Sequence, residues 1–442
     1  MIKGYRHKNK IIQLVENDTL HNDSNVFSIL VGKNGTGKST FLGNLTNDYI
    51  KDPRYRRIHD LKEEYYYDDF FPSQIITVST SPFDKFPIDR FEKEGNYTYL
   101  GLRDLHSSNF GLAYLSKIIS SLIESVSKES RQAYEIGRVL DYLGYRDEIL
   151  ITFQLFHSKK FLFDFLKAEN STDFLFNQNN TTTRRINRPF FLNKDESYSE
   201  RKIQRLKEIA EKILYGDLYR LNFELLLNRN GININYDESE NLLFLIQSGL
   251  LKLKDVKLQS IQDYSFFSIK DASSGEQSII LSILGIASKI KDNCLICIDE
   301  PEICLHPQWQ EKYIEILINT FSQFKKCHFI IATHSPQIIS KLADINSFIV
   351  DMESGITKNA NEFINHSADY QLANIFDSPG FKNEYLSRIS LNIFTKVSKY
   401  KSFDNDDLTK LQLIEKQSKY LEHSDPVYDL YLTLKELFKI YG

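Results

Sequence analysis

One stretch constrains this chain more than any other: Gly32-Lys33-Asn34-Gly35-Thr36-Gly37-Lys38-Ser39-Thr40. It keeps the spacing Gly-x4-Gly-Lys-Ser/Thr, follows the apolar run Val26–Val31 and opens the helical pattern Lys38–Leu45. A buried strand, a glycine turn and a helix start in that order make a loop whose backbone N–H groups curl round phosphate, with the helix terminus adding positive potential. Lys38 would reach the β- and γ-phosphates and Ser39 would hold Mg²⁺. A chain carrying this unit has to set strands beside helices, so the expected class is α/β.

The rest of the pattern agrees. Leu295–Ile298 is an apolar strand that delivers Asp299 and Glu300 at its C-terminal end, where ligands of an open α/β sheet gather. Asp299 is placed to hold Mg²⁺ through water, and Glu300 to orient or deprotonate an attacking water. Ser273-Ser274-Gly275-Glu276-Gln277 precedes the helical stretch Gln277–Lys289 and can offer hydroxyl and N–H donors to a phosphate. Phe329–Ala332 ends in Thr333-His334-Ser335, with His334 able to contact a γ-phosphate. Gln74–Ser79 is another strand, and Trp309–Phe321 another helix. From about Leu112 to Leu221 the periodicity is helical, in Leu115–Val126, Tyr134–Leu143 and Glu200–Leu214. Ile232–Tyr236 and Leu251–Leu258 read as strands around an Asn241–Leu250 helix. The tail reads as helices Asp406–Leu421, after a capping Asn405, and Pro426–Ile440.

Composition excludes more than it selects. The 442 residues carry a net charge of -4, so no global basic field points to nucleic acid or an acidic membrane. Local basic clusters exist: Arg54, Arg56 and Arg57 near Tyr55 and Tyr65–Tyr67, and Arg184, Arg185 and Arg188. Each reads first as solvated surface. No apolar run approaches a membrane span, and Met1–Gln13 is too basic for a secretory leader, so a cytoplasmic protein with no membrane partner is expected. Cys294 and Cys297 form a CxxC. In a buried strand, residues three apart face opposite ways, and this favours reduced core thiols over a zinc site.

Taken together, the motifs resemble ABC-type ATPases. Asn34 in the glycine loop is similar to their Walker A subtype, and Asp299–Glu300 to their Walker B. Ser273–Gln277 looks like a variant of their signature, with Ser273 for Leu and Glu276 for the second Gly. The implied fold is a P-loop NTPase of ABC type with a helical insertion between its lobes and a helical C-terminal region. Its divisions would be 1–112 (Walker A lobe), 113–254 (mainly helical insertion), 255–375 (signature, Walker B and His334) and 376–442 (helical tail). The implied catalytic residues are Lys38, Glu300 and His334. ATP would lie on Gly32 to Thr40 of one subunit and on Ser274, Gly275 and Gln277 of another, with Mg²⁺ on Ser39 and Asp299. A homodimer with nucleotide between subunits follows from that sharing.

A narrower likeness is to the SMC/RecF/OLD side of the class. It rests on Asp299-Glu-Pro-Glu302-Ile-Cys-Leu305-His306-Pro307-Gln-Trp309-Gln310, Ile331-Ala-Thr-His334-Ser-Pro336, Ser81-Pro-Phe-Asp84-Lys-Phe86, Tyr99-Leu-Gly-Leu-Arg103 and Leu372-Ala-Asn-Ile-Phe376-Asp-Ser-Pro-Gly-Phe381. These look like ATPases of bacterial anti-phage systems, the Septu type above all, which is also found as a retron effector. The resemblance implies a separate HNH nuclease partner, with nucleic acid or a retron reverse transcriptase–RNA complex as further partners. The alternatives are a DNA-repair or chromosome-organising ATPase, and an OLD-like effector with its own nuclease. Asp351, Glu353, Asp404 and Asp406 are the acidic residues such a nuclease could recruit.

Overall fold

A computed structural model of the chain describes every residue except 9, 17–22, 51–69, 89–94, 106–109, 156–157, 177–185, 194, 216–221, 235–238, 304 and 344. The elements run β1 (Gly4–His7), β2 (Lys10–Gln13), β3 (Val26–Val31), α1 (Lys38–Ile50), β4 (Ile75–Ser79), β5 (Tyr97–Leu100), α2 (Phe110–Lys128), α3 (Ser130–Tyr142) and β6 (Tyr145–Leu155). Then come α4 (Lys159–Lys167), α5 (Ser171–Phe176), α6 (Glu200–Tyr215), β7 (Asn222–Asn228), β8 (Gly231–Ile234), α7 (Ser239–Gln247), β9 (Leu251–Ser260), β10 (Phe266–Ser268) and α8 (Ser274–Ala287). The chain continues through β11 (Leu295–Asp299), α9 (Pro307–Phe321), β12 (His328–Ala332), α10 (Pro336–Ser340), β13 (Ser347–Asp351) and β14 (Thr357–Asn359). It ends in α11 (Ala368–Asn374), α12 (Glu384–Tyr400), α13 (Asn405–Ser418) and α14 (Pro426–Tyr441). Two compact units result: Met1–Asp104 with Ile290–Gly442, and Leu105–Lys289.

The first unit is built on a seven-stranded sheet of order β14-β13-β3-β12-β11-β4-β5, in which only β14 pairs antiparallel. β3, β4, β11 and β12 are buried along their whole length. That is why they read as predominantly apolar runs. Register lines up their C-terminal ends: Asp299 lies opposite Ala332 and Ser79, and Ala332 opposite Leu30. The loops after β3, β11 and β12 therefore leave the sheet side by side.

Loop packing holds α1 against the sheet. Asp84 is buried and accepts a 2.7 Å hydrogen bond from the Tyr99 hydroxyl, while Arg103 donates to the Asp84 and Phe86 carbonyls. A Cβ on Gly101 would sit 2.2 Å from the Tyr99 hydroxyl, and one on Gly43 of α1 2.3 Å from the Lys85 carbonyl. These contacts account for the Ser81–Phe86 and Tyr99–Arg103 motifs: they seat the helix that leaves the glycine loop.

The tail helices share an apolar core that includes Leu386, Ile393, Ile414, Val427 and Leu434. Gln417 ties them back, its amide donating to Ala373 O at 2.7 Å and Asp377 Oδ1 at 2.8 Å. Asp404, not Asn405, caps α13, in a reciprocal pair with Asp407, whose position three residues on selects Asp404 over its neighbour.

The second unit corrects part of the sequence reading. The helices over Leu115–Val126, Tyr134–Leu143 and Glu200–Leu214 are there as α2, α3 and α6, but a five-stranded antiparallel sheet of order β10-β9-β6-β7-β8 runs among them. Its central strand β6 falls inside the stretch expected to be helical. The run Ile149–Phe153, apolar except for Thr152, fits either element over so short a length. Pairing with β7 and β9 settles it as strand. α8 belongs to this unit as well: Ser288 at its C-cap bonds the Ser121 hydroxyl at 2.7 Å, and Gln132 donates to Ala287 O.

Candidate nucleotide site

The glycine loop joins β3 to α1. Gly32, Gly35 and Gly37 all have positive φ, at 144°, 83° and 96°. Its turn is fixed by the Thr36 hydroxyl donating to Lys33 O at 2.9 Å, and α1 starts with Phe41 N donating to Gly37 O at 2.7 Å. Lys38 is buried and folds back over the loop, its Nζ donating to Gly32 O at 2.8 Å and Lys33 O at 3.3 Å. Asn34, Gly35 and Thr40 are exposed at the rim. Burial lowers the Lys38 ammonium to about 8, against the pull of Glu300, Glu302 and Asp299.

Neighbouring strands bring the acidic side. Asp299 ends β11 and is almost fully buried, and its Oδ1 accepts a 3.1 Å hydrogen bond from the Ser39 hydroxyl. Burial, partly opposed by that hydroxyl, raises its carboxyl to about 7. A hydroxyl and a carboxylate at this separation are the all-oxygen donor pair that Mg²⁺ takes, and a divalent ion is what a buried carboxylate of this kind would discharge on. Glu300 follows with φ 50°, a left-handed backbone that costs a non-glycine residue about 1 kcal/mol. Its Oε1 lies 3.9 Å from His334 Nε2.

His334 closes the group, with Nδ1 3.5 Å from Lys38 Nζ. Burial, then Lys38, lowers the ring to about 4, so it is neutral at ordinary pH. Because a lysine ammonium can only donate, Nδ1 accepts and the ring proton sits on Nε2, facing Glu300.

The structure gathers Lys38, Ser39, Asp299, Glu300 and His334 within one unit; Ser274, Gly275 and Gln277 belong to the other. There Ser273 caps α8, its hydroxyl accepting from Glu276 N, and Gln277 donates to Ala272 O at 2.8 Å. Glu276, which replaces a glycine of the resembling signature, accepts a 2.8 Å bond from the Tyr145 hydroxyl.

Several residues act by positioning others, a role that their place in the sequence does not reveal. Glu302 holds the His334 amide at 2.5 Å, and Gln310 bridges Leu305 O (2.9 Å) and the Ser335 hydroxyl (2.6 Å), so the motif after Asp299 serves to fix the histidine loop. Glu353 accepts from Lys33 N at 3.3 Å, and Lys33 Nζ lies 3.9 Å from the centre of the Tyr420 ring. Of the basic clusters, Arg54, Arg56, Arg57, Arg184 and Arg185 lie outside the described residues, as do Tyr55 and Tyr65–Tyr67. Arg188 packs over Tyr198 at 5.5 Å. Cys294, Cys297 and Cys327 are buried free thiols, and no described helix is long and apolar enough to cross a membrane.

Comparison with known proteins adds two curated relatives. "Retron Ec83 probable ATPase" of Escherichia coli is 31% identical over 113 residues, 23% of this chain and 20% of that protein. "Retron Vc95 probable ATPase" of Vibrio cholerae serotype O1 biovar El Tor is 27% identical over 135 residues, 24% and 26% of the two chains. The chain thus spans about a fifth to a quarter of the length of these relatives. A family model described as "AAA domain, putative AbiEii toxin, Type IV TA system" matches residues 27–340, from β3 to α10. That match takes in the glycine loop, Asp299, Glu300 and His334 and covers more than half of the sequence, so the chain belongs to this AbiEii-type AAA domain family.

Proposed function

We propose that this chain binds ATP with Mg²⁺, hydrolyses it, closes as a homodimer round the nucleotide, and governs an associated nuclease in anti-phage defence. The observation that carries the catalytic part is the cluster of Lys38, Ser39, Asp299, Glu300 and His334 at adjacent strand ends. Lys38 and the loop amides bind the phosphates, and Ser39 with Asp299 holds the cation. Mg²⁺ bound there would neutralise charge developing on the β- and γ-phosphate oxygens. Glu300 takes the proton of the attacking water. His334, neutral, with its backbone amide held by Glu302 and its Nε2 3.9 Å from Glu300, would donate its Nε2–H to the γ-phosphate when nucleotide is bound.

The defence role rests on the partial likeness to the two retron proteins, and the nuclease partner on the resemblance to Septu-type ATPases. An intrinsic nuclease is disfavoured by what the acidic residues already do. Asp351 accepts from Glu353 N and the Ser354 hydroxyl in a turn, and Asp404 and Asp407 cap α13 and pair with Lys396. A retron reverse transcriptase–RNA complex and an HNH protein remain the partners of this reading.

Light scattering on Glu300→Gln tests the dimer: ATP with Mg²⁺ should double the mass, and an unchanged mass would sink the shared-nucleotide model. The purified chain should leave DNA and RNA intact. Cleavage abolished by Asp351→Ala, with ATP turnover retained, would replace the regulatory role by an effector one.

A further inference from the structure

The β1–β2 hairpin reaches the glycine loop. It is anchored at its base by Ile2 N donating to His328 Nδ1 at 3.2 Å, and along its length by Tyr5, which donates to Asp48 Oδ2 at 2.7 Å and meets Phe41 edge-on at 5.3 Å. At the tip His7 pairs with Lys10, and Lys8 turns at φ 55°. This places two side chains at the first turn of α1: a Cβ on Gly37 would lie 3.3 Å from His7 Nε2 and 3.7 Å from Lys8 Nζ.

His7 is only 7% exposed, packs its ring on Phe41 at 5.5 Å, and has no hydrogen-bond partner on either ring nitrogen among the described residues. A buried imidazole with both nitrogens unsatisfied is costly, and such a group in a native site calls for an explanation. Lys8 beside it is exposed. Both groups border the loop residue whose backbone amide faces the phosphates in a glycine loop of this kind.

We infer that His7 and Lys8 belong to the nucleotide site, where they contact the α- or β-phosphate oxygens of a nucleoside di- or triphosphate. This rests on the nucleotide reading above. Burial, then Lys8, lowers the His7 ring, so it enters as a neutral donor of one N–H. Lys8, whose Nζ comes within 3.7 Å of a Cβ on Gly37, adds the charge.

The test is calorimetric titration of the full chain with Mg²⁺–ADP and Mg²⁺–ATP, paired with thermal unfolding in the absence of nucleotide. His7→Phe keeps a ring against Phe41 and removes the unpaired nitrogens. The variant should unfold at the wild-type temperature or above, yet bind both nucleotides about 10- to 100-fold more weakly, the loss of a hydrogen bond to a charged group. Lys8→Glu, at an exposed turn, should weaken both by at least about tenfold and most at low salt. Wild-type affinity in either variant overturns the inference. So does His7→Phe with lowered stability and unchanged affinity, because the histidine would then be structural. If wild type binds neither nucleotide, the nucleotide reading itself falls. If Lys38→Ala abolishes binding while His7→Phe and Lys8→Glu bind normally, only this inference fails.

Discussion

Asp299→Asn should move stability and function in opposite directions. Asp299 is 2% exposed at the end of β11, and burial raises its carboxyl to about 7 from the ordinary 3.8, with Ser39 opposing and Glu300 adding to the rise. Near pH 4 the folded chain keeps the proton and the unfolded chain is only about half ionised, so less than about 1 kcal/mol is lost. From there to pH 7 the unfolded chain ionises first, and stability falls. Above pH 7 the full cost is reached, about 4 kcal/mol for a carboxyl displaced this far. Asparagine has the same shape without the charge. At pH 8 in EDTA the variant should therefore be more stable than wild type by about 1–4 kcal/mol, roughly 2–10 °C in Tm for a unit of this size. The gap should shrink to less than about 1 kcal/mol near pH 4. Comparing the two proteins at each pH cancels the other titrating groups, such as buried His328, which burial lowers to about 3. Differential scanning calorimetry from pH 4 to 8 measures the gap directly. Mg²⁺–ADP should raise the wild-type Tm and do little for the variant. A variant no more stable than wild type at pH 8, or a gap that ignores pH, would refute the reasoning.

Other outcomes follow from the same geometry. Lys38 is held near 8 when free, and phosphate should restore its proton, so the Kd for Mg²⁺-free ADP should be flat below pH 8 and rise up to about tenfold per pH unit above it. A flat profile to pH 9.5 would remove Lys38 from the site. Gly43→Ala pushes a Cβ to 2.3 Å from the Lys85 carbonyl and should cost about 1–3 kcal/mol in chemical denaturation; an unchanged midpoint would contradict the packing of that loop on α1. Tyr145→Phe frees the Glu276 carboxylate at the start of α8 and should weaken ATP-driven dimerisation about tenfold in sedimentation without changing nucleotide affinity. Unaltered association would show that Glu276 needs no restraint.

The parts legible in the sequence were those specified by contiguous residues. The glycine loop carries its own strand, turn and helix start, and β3, β11 and β12 are apolar apart from Ser28, Asp299 and His328 because both faces are covered. His7 and Lys8 could not be read, since a hairpin about 30 residues upstream brings them to Gly37 by tertiary packing alone. Glu302 lay inside a quoted motif, but its bond to the His334 amide depends on β11 and β12 being neighbours. β6 is not legible as a strand because the short run Ile149–Phe153, four apolar residues and Thr152, fits a buried helix as well as a strand, and only its partners β7 and β9 distinguish them.

The central claim is that Glu300, beside the cation-binding Asp299, activates water against a phosphate held by Lys38. The most direct measurement is inorganic phosphate release from Mg²⁺–ATP by the full chain and two variants, with nucleotide binding measured in parallel. Glu300→Gln should bind ATP like wild type and release phosphate about 10²–10⁴-fold more slowly, and Lys38→Ala should bind weakly and release none. Wild-type turnover in Glu300→Gln would contradict the account, as would turnover that survives the loss of Lys38.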